Sequence, residues 1–176
     1  MFCAAHVVPD WLKQLVPTTG GNPTPVWDLS SYLSFMDTTG IQRSIFAFSA
    51  PGANIYKGDK LLTVALARLM NGVSAALADA APKRLSWYAI VPLPYTQEAI
   101  AEADWALKAG AVGIVLFSNY EGRYLGDAAF QPFFDALNKR AGRQIVYVHP
   151  STPYIKNGDQ WIEANPTTYP TGNIEF

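Results

Sequence analysis

Short, almost wholly apolar runs alternate with helix-patterned segments along most of this chain, and that alternation restricts the fold more than any other feature. Ser44–Phe48 (SIFAF), Leu85–Val91 (LSWYAIV), Val112–Phe117 (VGIVLF) and Ile145–His149 (IVYVH) are too short for stable helices. They carry apolar residues at successive positions, as strands buried on both faces do. Phe2–Val8, followed by Pro9, reads as a further strand or strand remnant. The intervening segments have helical spacing. Leu29–Thr39 places Tyr32, Leu33, Phe35 and Met36 on its apolar side, with Asp28 or Ser30 as cap and Gly40 as stop. Leu61–Ala80 is a long helix rich in Ala and Leu. Thr96 caps another helix, which carries Glu98 in its first turn and ends at Gly110. Ala128–Ala141 sets Phe130, Phe133, Phe134 and Leu137 at i, i+3, i+4 and i+7. Residues 16–27 are rich in Pro, Gly and Thr and form a loop. Buried strands alternating with helices build parallel βα units.

Two architectures satisfy that pattern, an open doubly wound sheet and a closed barrel. A doubly wound sheet usually carries a glycine-rich phosphate loop after its first strand; here the chain continues as Pro9-Asp10-Trp11. The strand starts are unequally spaced, which excludes a short-period repeat array. A barrel takes eight βα units and about 250 residues, whereas these 176 residues hold about five strands, and Tyr154–Phe176 shows no clear periodicity. The expectation is therefore an α/β fold: an incomplete TIM-type (β/α) barrel with parallel strands, about the first five βα units, as one domain over residues 1–176.

Composition narrows the function. With 49% hydrophobic and 15% charged residues, the chain has material for a packed core. A net charge of -1 with scattered Lys and Arg leaves no basic footprint for nucleic acid or an anionic membrane surface. Cys3 is the single cysteine, so no internal disulfide forms and a reducing, cytoplasmic setting is expected. Cys3 reads as a structural thiol, with no base nearby in sequence. No apolar run is expected to reach the roughly 18 residues of a membrane span, and Met1–Val8 lacks the basic start of a signal peptide.

His6 and His149 are the only histidines, and both lie at the C-terminal ends of apolar runs. In a parallel barrel those ends share the active face, so imidazoles from the first and fifth strands converge there as ligands for a divalent metal, zinc being the usual one. Taken alone, a histidine at a strand end is more often a hydrogen-bonded structural residue. Three further residues follow strand ends on the same face. Ser49 lines the pocket mouth or forms a plain turn. Asn119 orients substrate oxygens and Arg123 meets a carboxylate, or their loop is solvated with a Glu121–Arg123 pair. Trp87 and Tyr88 point to opposite faces of their strand. Asp10 and Trp11 shape the rim or start a helix.

The residues also carry a resemblance. Ala4-Ala5-His6-Val7-Val8-Pro9 resembles the end of the His-x-His-x-x-Pro signature that opens the aminocarboxymuconate-semialdehyde decarboxylase-like branch of the amidohydrolase superfamily. Its second histidine falls on His6 and its first on Ala4, which cannot hold metal. Met36–Ile41, Ser44–Gly52, Arg84–Pro94 and Glu102–Leu116 resemble the family's following helix ends and strands in order. Val146-Tyr147-Val148-His149-Pro150 is similar to the fifth-strand motif, whose histidine is a metal ligand. The order covers nearly the whole chain.

The resemblance implies a metal-dependent, non-oxidative carboxy-lyase acting on a small aromatic or carboxymuconate-like acid. The chain would be truncated at both ends relative to the family and impaired in activity. The family's catalytic His and late metal-binding Asp would lie beyond Phe176, so the catalytic residues are unknown in this chain. The family's carboxylate-binding arginine is absent from the helix at 29–39. Two rivals stand beside this reading. One is a metal-dependent hydrolase of a lactone or amide in the same superfamily. The other is a non-catalytic half-barrel that binds a partner or self-associates as a homodimer.

Overall fold

A computed structural model describes residues 2–7, 14, 18–19, 22–23 and 26–163. Five parallel strands form its central sheet: β1 (Phe2–Val7), β2 (Arg43–Phe48), β3 (Leu85–Ile90), β4 (Gly113–Phe117) and β5 (Val146–His149). They pair in chain order, β1-β2-β3-β4-β5. An open doubly wound sheet would reverse its order at a switch point. Sequential neighbours with helical crossovers are the geometry of a curling barrel wall, and the incomplete TIM-type barrel expected from sequence is what forms.

Among the described residues four helices follow the strands: α1 (Leu29–Thr38), α2 (Lys60–Ala80), α3 (Thr96–Lys108) and α4 (Gln131–Asn138). Asp28 caps α1 by accepting from the Ser31 N–H at 2.8 Å. That bond holds its carboxyl below its ordinary pKa. Asp59 caps α2 in the same way through the Leu62 N–H. Thr96, expected as a cap, is the first helical residue of α3; its hydroxyl donates instead to the Ala129 carbonyl at 3.0 Å. The helix expected over 128–141 is divided. A 3-10 turn at Ala128–Phe130 precedes α4, because Pro132 favours the first turn of a new helix.

At 21 residues, α2 is long and apolar enough to cross a membrane by length and composition, contrary to the expectation that no segment is. In this fold it lies against β3, burying Thr63, Leu66, Ala67, Met70, Asn71 and Ser74.

Strand alternation divides the sheet into two faces. Ser44, Phe46 and Phe48 of β2, Leu85, Trp87 and Ala89 of β3, and Ile114 and Leu116 of β4 are buried. They share the helix-covered face, where the Tyr32 hydroxyl of α1 meets Ser44 Oγ at 2.6 Å. The other face carries Ile45, Ala47, Tyr88, Ile90, Val115, Phe117, Tyr147 and His149, as the pairings Ile45↔Ser86, Ile90↔Val115 and Phe117↔His149 show. Trp87 and Tyr88 thus part as expected. Tyr88 stacks on Tyr147 at 5.8 Å across Gly113, where an added Cβ would stand 2.6 Å from the Ile145 carbonyl oxygen and 3.0 Å from the Tyr88 ring.

The tail holds structure that its sequence pattern concealed. Tyr154–Asn157 and Gln160–Glu163 pair as an antiparallel hairpin. Its two-residue Gly158-Asp159 loop is a hairpin signal of the kind that needs no long flanking periodicity. Residues 164–176, like Asp10 and Trp11, lie outside the described residues.

Candidate functional site on the C-terminal rim

The C-terminal ends of the strands carry the site residues. His149 ends β5, half-buried, with its ring edge-on to Phe117 at 5.9 Å and to Tyr147 at 6.1 Å. Its Nδ1 faces the Pro150 carbonyl oxygen. A ring whose Nδ1–H donates to a carbonyl carries its lone pair on Nε2.

His6 is placed by backbone register alone, opposite Ala47 near the end of β1. Following the pairing ladder from position 6 through Ala47, Tyr88 and Gly113, extended by one residue where needed, leads to Ile145. His149 lies four residues further on. An even offset keeps both positions on one face. A closed barrel with shear 8 over eight strands introduces a stagger of about that size across four strand steps. Positions 6 and 149 therefore share a face and the same end of the sheet. The side chain of His6 lies outside the described residues.

Ser49, directly after β2, is half-buried at the same rim, and its carbonyl accepts from the Gly52 N–H at 2.9 Å. Asn119 is buried, and its amide is committed to the local fold. Nδ2 donates to Ser151 Oγ and to the Thr152 carbonyl, both at 3.0 Å, while Oδ1 accepts from the Gly122 N–H at 3.3 Å. Ser118 Oγ and Ser151 Oγ meet at 2.9 Å. This network clamps the turn after His149 to the end of β4.

Asn119–Tyr120 pairs with Arg123–Tyr124 as a hairpin whose turn, Glu121-Gly122, has φ of 54° and 82°. Glu121, expected to pair with Arg123, instead accepts from the Gly58 N–H at 3.0 Å, bracing the hairpin against the loop after β2. Arg123 is exposed and lines an open depression of about 520 Å³ with Glu121, Gly122, Tyr124 and Asp127. The structure brings Asn119 to the turn behind His149 but sets Arg123 on the outer rim. The sequence assigns no individual role to Ser118, Ser151 or Tyr120. The Tyr120 hydroxyl accepts from the Phe117 N–H at 3.1 Å, and burial pushes its pKa far up, so it stays protonated. Among the described residues no group of three or more His, Cys, Asp or Glu side chains could hold a metal ion.

No family model matches the chain. Decarboxylase yanB of Aspergillus niger is 34% identical over 170 residues, which is 92% of this chain and 46% of that protein. The 6-methylsalicylic acid decarboxylase acuB of Aspergillus aculeatus is 33% identical, over 84% of this chain and 46% of its own length. A solved amidohydrolase II superposes with a TM-score of 0.79 at 31% identity, covering 90% of this chain and 53% of that one. The chain is a decarboxylase-like member of the amidohydrolase superfamily. It spans about half the length of the curated relatives it matches. The superfamily likeness extends to 5-carboxyvanillate decarboxylase from Novosphingobium aromaticivorans, solved with manganese and a nitrobenzoic acid, at 29% identity and a TM-score of 0.68 over 73% of this chain and 36% of that one.

Proposed function

We propose that this chain carries part of the active face of a metal-dependent, non-oxidative decarboxylase acting on a small aromatic carboxylic acid. The observation that carries the reading is His149, at the C-terminal end of β5 with Nδ1 turned to the Pro150 carbonyl. An imidazole whose Nδ1–H is given to a carbonyl carries its lone pair on Nε2, the atom through which it would bind a divalent ion. Relatives named as decarboxylases align over 84–92% of the chain, and one solved neighbour holds manganese. Zinc is the ion proposed here, on the chemistry of imidazole donors.

His149 and His6 would hold the ion, with Ala4 standing where the family pattern has a further histidine. Two ligands fall short of the three protein donors usual at catalytic zinc, so these residues bind it weakly. When bound, the ion supplies Lewis acidity toward substrate oxygens. In the reaction the bond between ring carbon and carboxyl breaks, carbon dioxide leaves, and the carbon takes a proton. Arg123 offers its guanidinium to a carboxylate at the rim. Ser49 lines the mouth, and Asn119 acts by holding the 150–152 turn that orients His149.

Zinc content of the purified chain and carbon dioxide release from 6-methylsalicylic acid test this. His149→Ala should abolish zinc retention. Less than about a tenth of an equivalent of zinc in the parent chain, unchanged in the variant, would remove the metal reading. Self-association as a non-catalytic half-barrel is a second reading. It is favoured by Ile145, Val146 and Val148, which are 48%, 37% and 50% exposed at the sheet edge.

A further inference from the structure

The two sides of α2 are not divided as water alone would divide them. Its buried side includes Thr63, Asn71 and Ser74, and Asn71 is bonded to Ile90 of β3 and Glu102 of α3. Its outward side carries Leu61, Leu62, Ala65, Leu69, Gly72 and Ala76, all exposed, Leu61 by 79% and Leu69 by 52%. Spacings of three and four residues set them on one side of the helix. The outer face of a helix that meets only water is ordinarily polar. Arg68 is the one charged residue between Leu61 and Ala78. Its guanidinium bonds Glu102 and lies over the Trp105 ring, so its charge is turned to α3.

Gly72 stands in the middle of this face. Glycine weakens a helix interior more than any residue except proline. Its backbone here is helical, and no heavy atom lies within 4 Å of the place a Cβ would take. Nothing among the described residues requires glycine at this position. A backbone bare of side chain does let a second helix approach closely.

The charges at the two ends set the direction of that second helix. Lys60 opens α2 and Asp79 lies in its last turn, each at the end of the macrodipole that disfavours its charge. A parallel copy of α2 would bring Lys60 beside Lys60 and Asp79 beside Asp79. An antiparallel copy brings Lys60 of one chain beside Asp79 of the other and opposes the macrodipoles. Centred between residues 70 and 71, it sets Leu69 of each copy against Gly72 of the other, and Ala65 against Ala76. In that register Lys60 and Asp79 of the two copies stand about 3 Å apart along the axis, at 1.5 Å per residue. Lys60 also reaches Glu98 of its own α3, which lies beside the same end.

We propose that the outward face of α2 is a self-association surface, on which a second copy of this chain docks antiparallel with Leu69 of each seated on Gly72 of the other. The surface is separate from the exposed edge at β5 and independent of the reading of His149 as a metal ligand. A bilayer is the other apolar medium for such a face. Helices that lie on membranes are rich in Lys and Arg on the polar side, whereas here a cation and an anion stand at opposite ends, as a copy of the same helix requires.

Val148→Lys blocks the sheet edge, so association through α2 is read in that background by sedimentation velocity. It should show a monomer–dimer equilibrium at micromolar concentration. Gly72→Leu adds an apolar side chain in open space and removes a helix-weakening residue. Its thermal midpoint should hold or rise, while the dimer dissociation constant rises about tenfold because the partner's Leu69 loses its seat. Leu69→Glu should weaken the dimer at least as much with an unchanged circular dichroism spectrum. Asp79→Lys should weaken it several-fold at low salt and little at high salt.

A monomer in the Val148→Lys background overturns the proposal, and a parent chain that dimerises nonetheless does so through the β5 edge. A dimer that Gly72→Leu leaves unchanged or tightens overturns it, since general stickiness of the face predicts that result. A dimer indifferent to Asp79→Lys at low salt overturns the antiparallel arrangement. Flotation with phosphatidylcholine–phosphatidylserine vesicles tests the bilayer. A monomer that floats with them, and ceases to in Leu69→Glu, gives the face to lipid and overturns self-association.

Discussion

Asn71 pairs with a strand from a helix. Fully buried on α2, it accepts from the Ile90 N–H at 2.9 Å and donates to the Ile90 carbonyl and to Glu102 Oε1, both at 2.8 Å. Glu102, 3% exposed, is also held by Arg68 Nε at 2.9 and 3.1 Å, and the Arg68 guanidinium lies 4.2 Å over the Trp105 ring. One amide thereby ties α2, β3 and α3 together at the end of β3. Asn71→Ala would leave two backbone groups and part of a carboxylate buried without partners, and should lower stability by about 2–4 kcal/mol in urea denaturation. Ser74, one turn along α2, is the opposite case. Its hydroxyl is buried and makes no hydrogen bond, so Ser74→Ala should be neutral or raise stability by up to about 1 kcal/mol in the same measurement.

Among the elements, β4 tolerates little change. All five of its residues are buried, and it is flanked by β3 and β5. Gly113 sits where Tyr88 and Tyr147 close over it. Gly113→Ala should cost about 1–3 kcal/mol, because the nearest atom to the new methyl is backbone and cannot turn aside; a drop in thermal midpoint checks it. Element identity was legible wherever a long or wholly apolar segment carried it, as in α2 and β4. It was illegible at 154–163, where short strands pair through a tight turn without a periodic run. The cap at Thr96 misled because its hydroxyl found a partner, Ala129, from another part of the chain.

At the scale of the whole molecule, the sheet is covered unevenly. The helix-side positions of β2, β3 and β4 are buried, yet Val146 and Val148 of β5 are exposed, and no helix among the described residues lies over them. An uncovered apolar edge strand is an association surface. Sedimentation velocity should show the chain self-associating at micromolar concentration. Val148→Lys should shift it toward monomer without changing its circular dichroism spectrum. A parent chain that stays monomeric would set the homodimer reading aside.

The amino-acid order by itself determined the βα alternation, the parallel sheet, the barrel type and the two histidines at strand ends, because burial on both faces and helical spacing are written in local composition. The tertiary structure alone decided which contacts complete the rim. Asn119 spends its amide on Ser151 and Thr152, Glu121 reaches Gly58, and Phe117 abuts both Gly52 and His149. Each of those contacts joins residues more than 30 positions apart in the chain, or sets a ring against one on a neighbouring strand. Such distances are closed only by strand register, which no local pattern encodes.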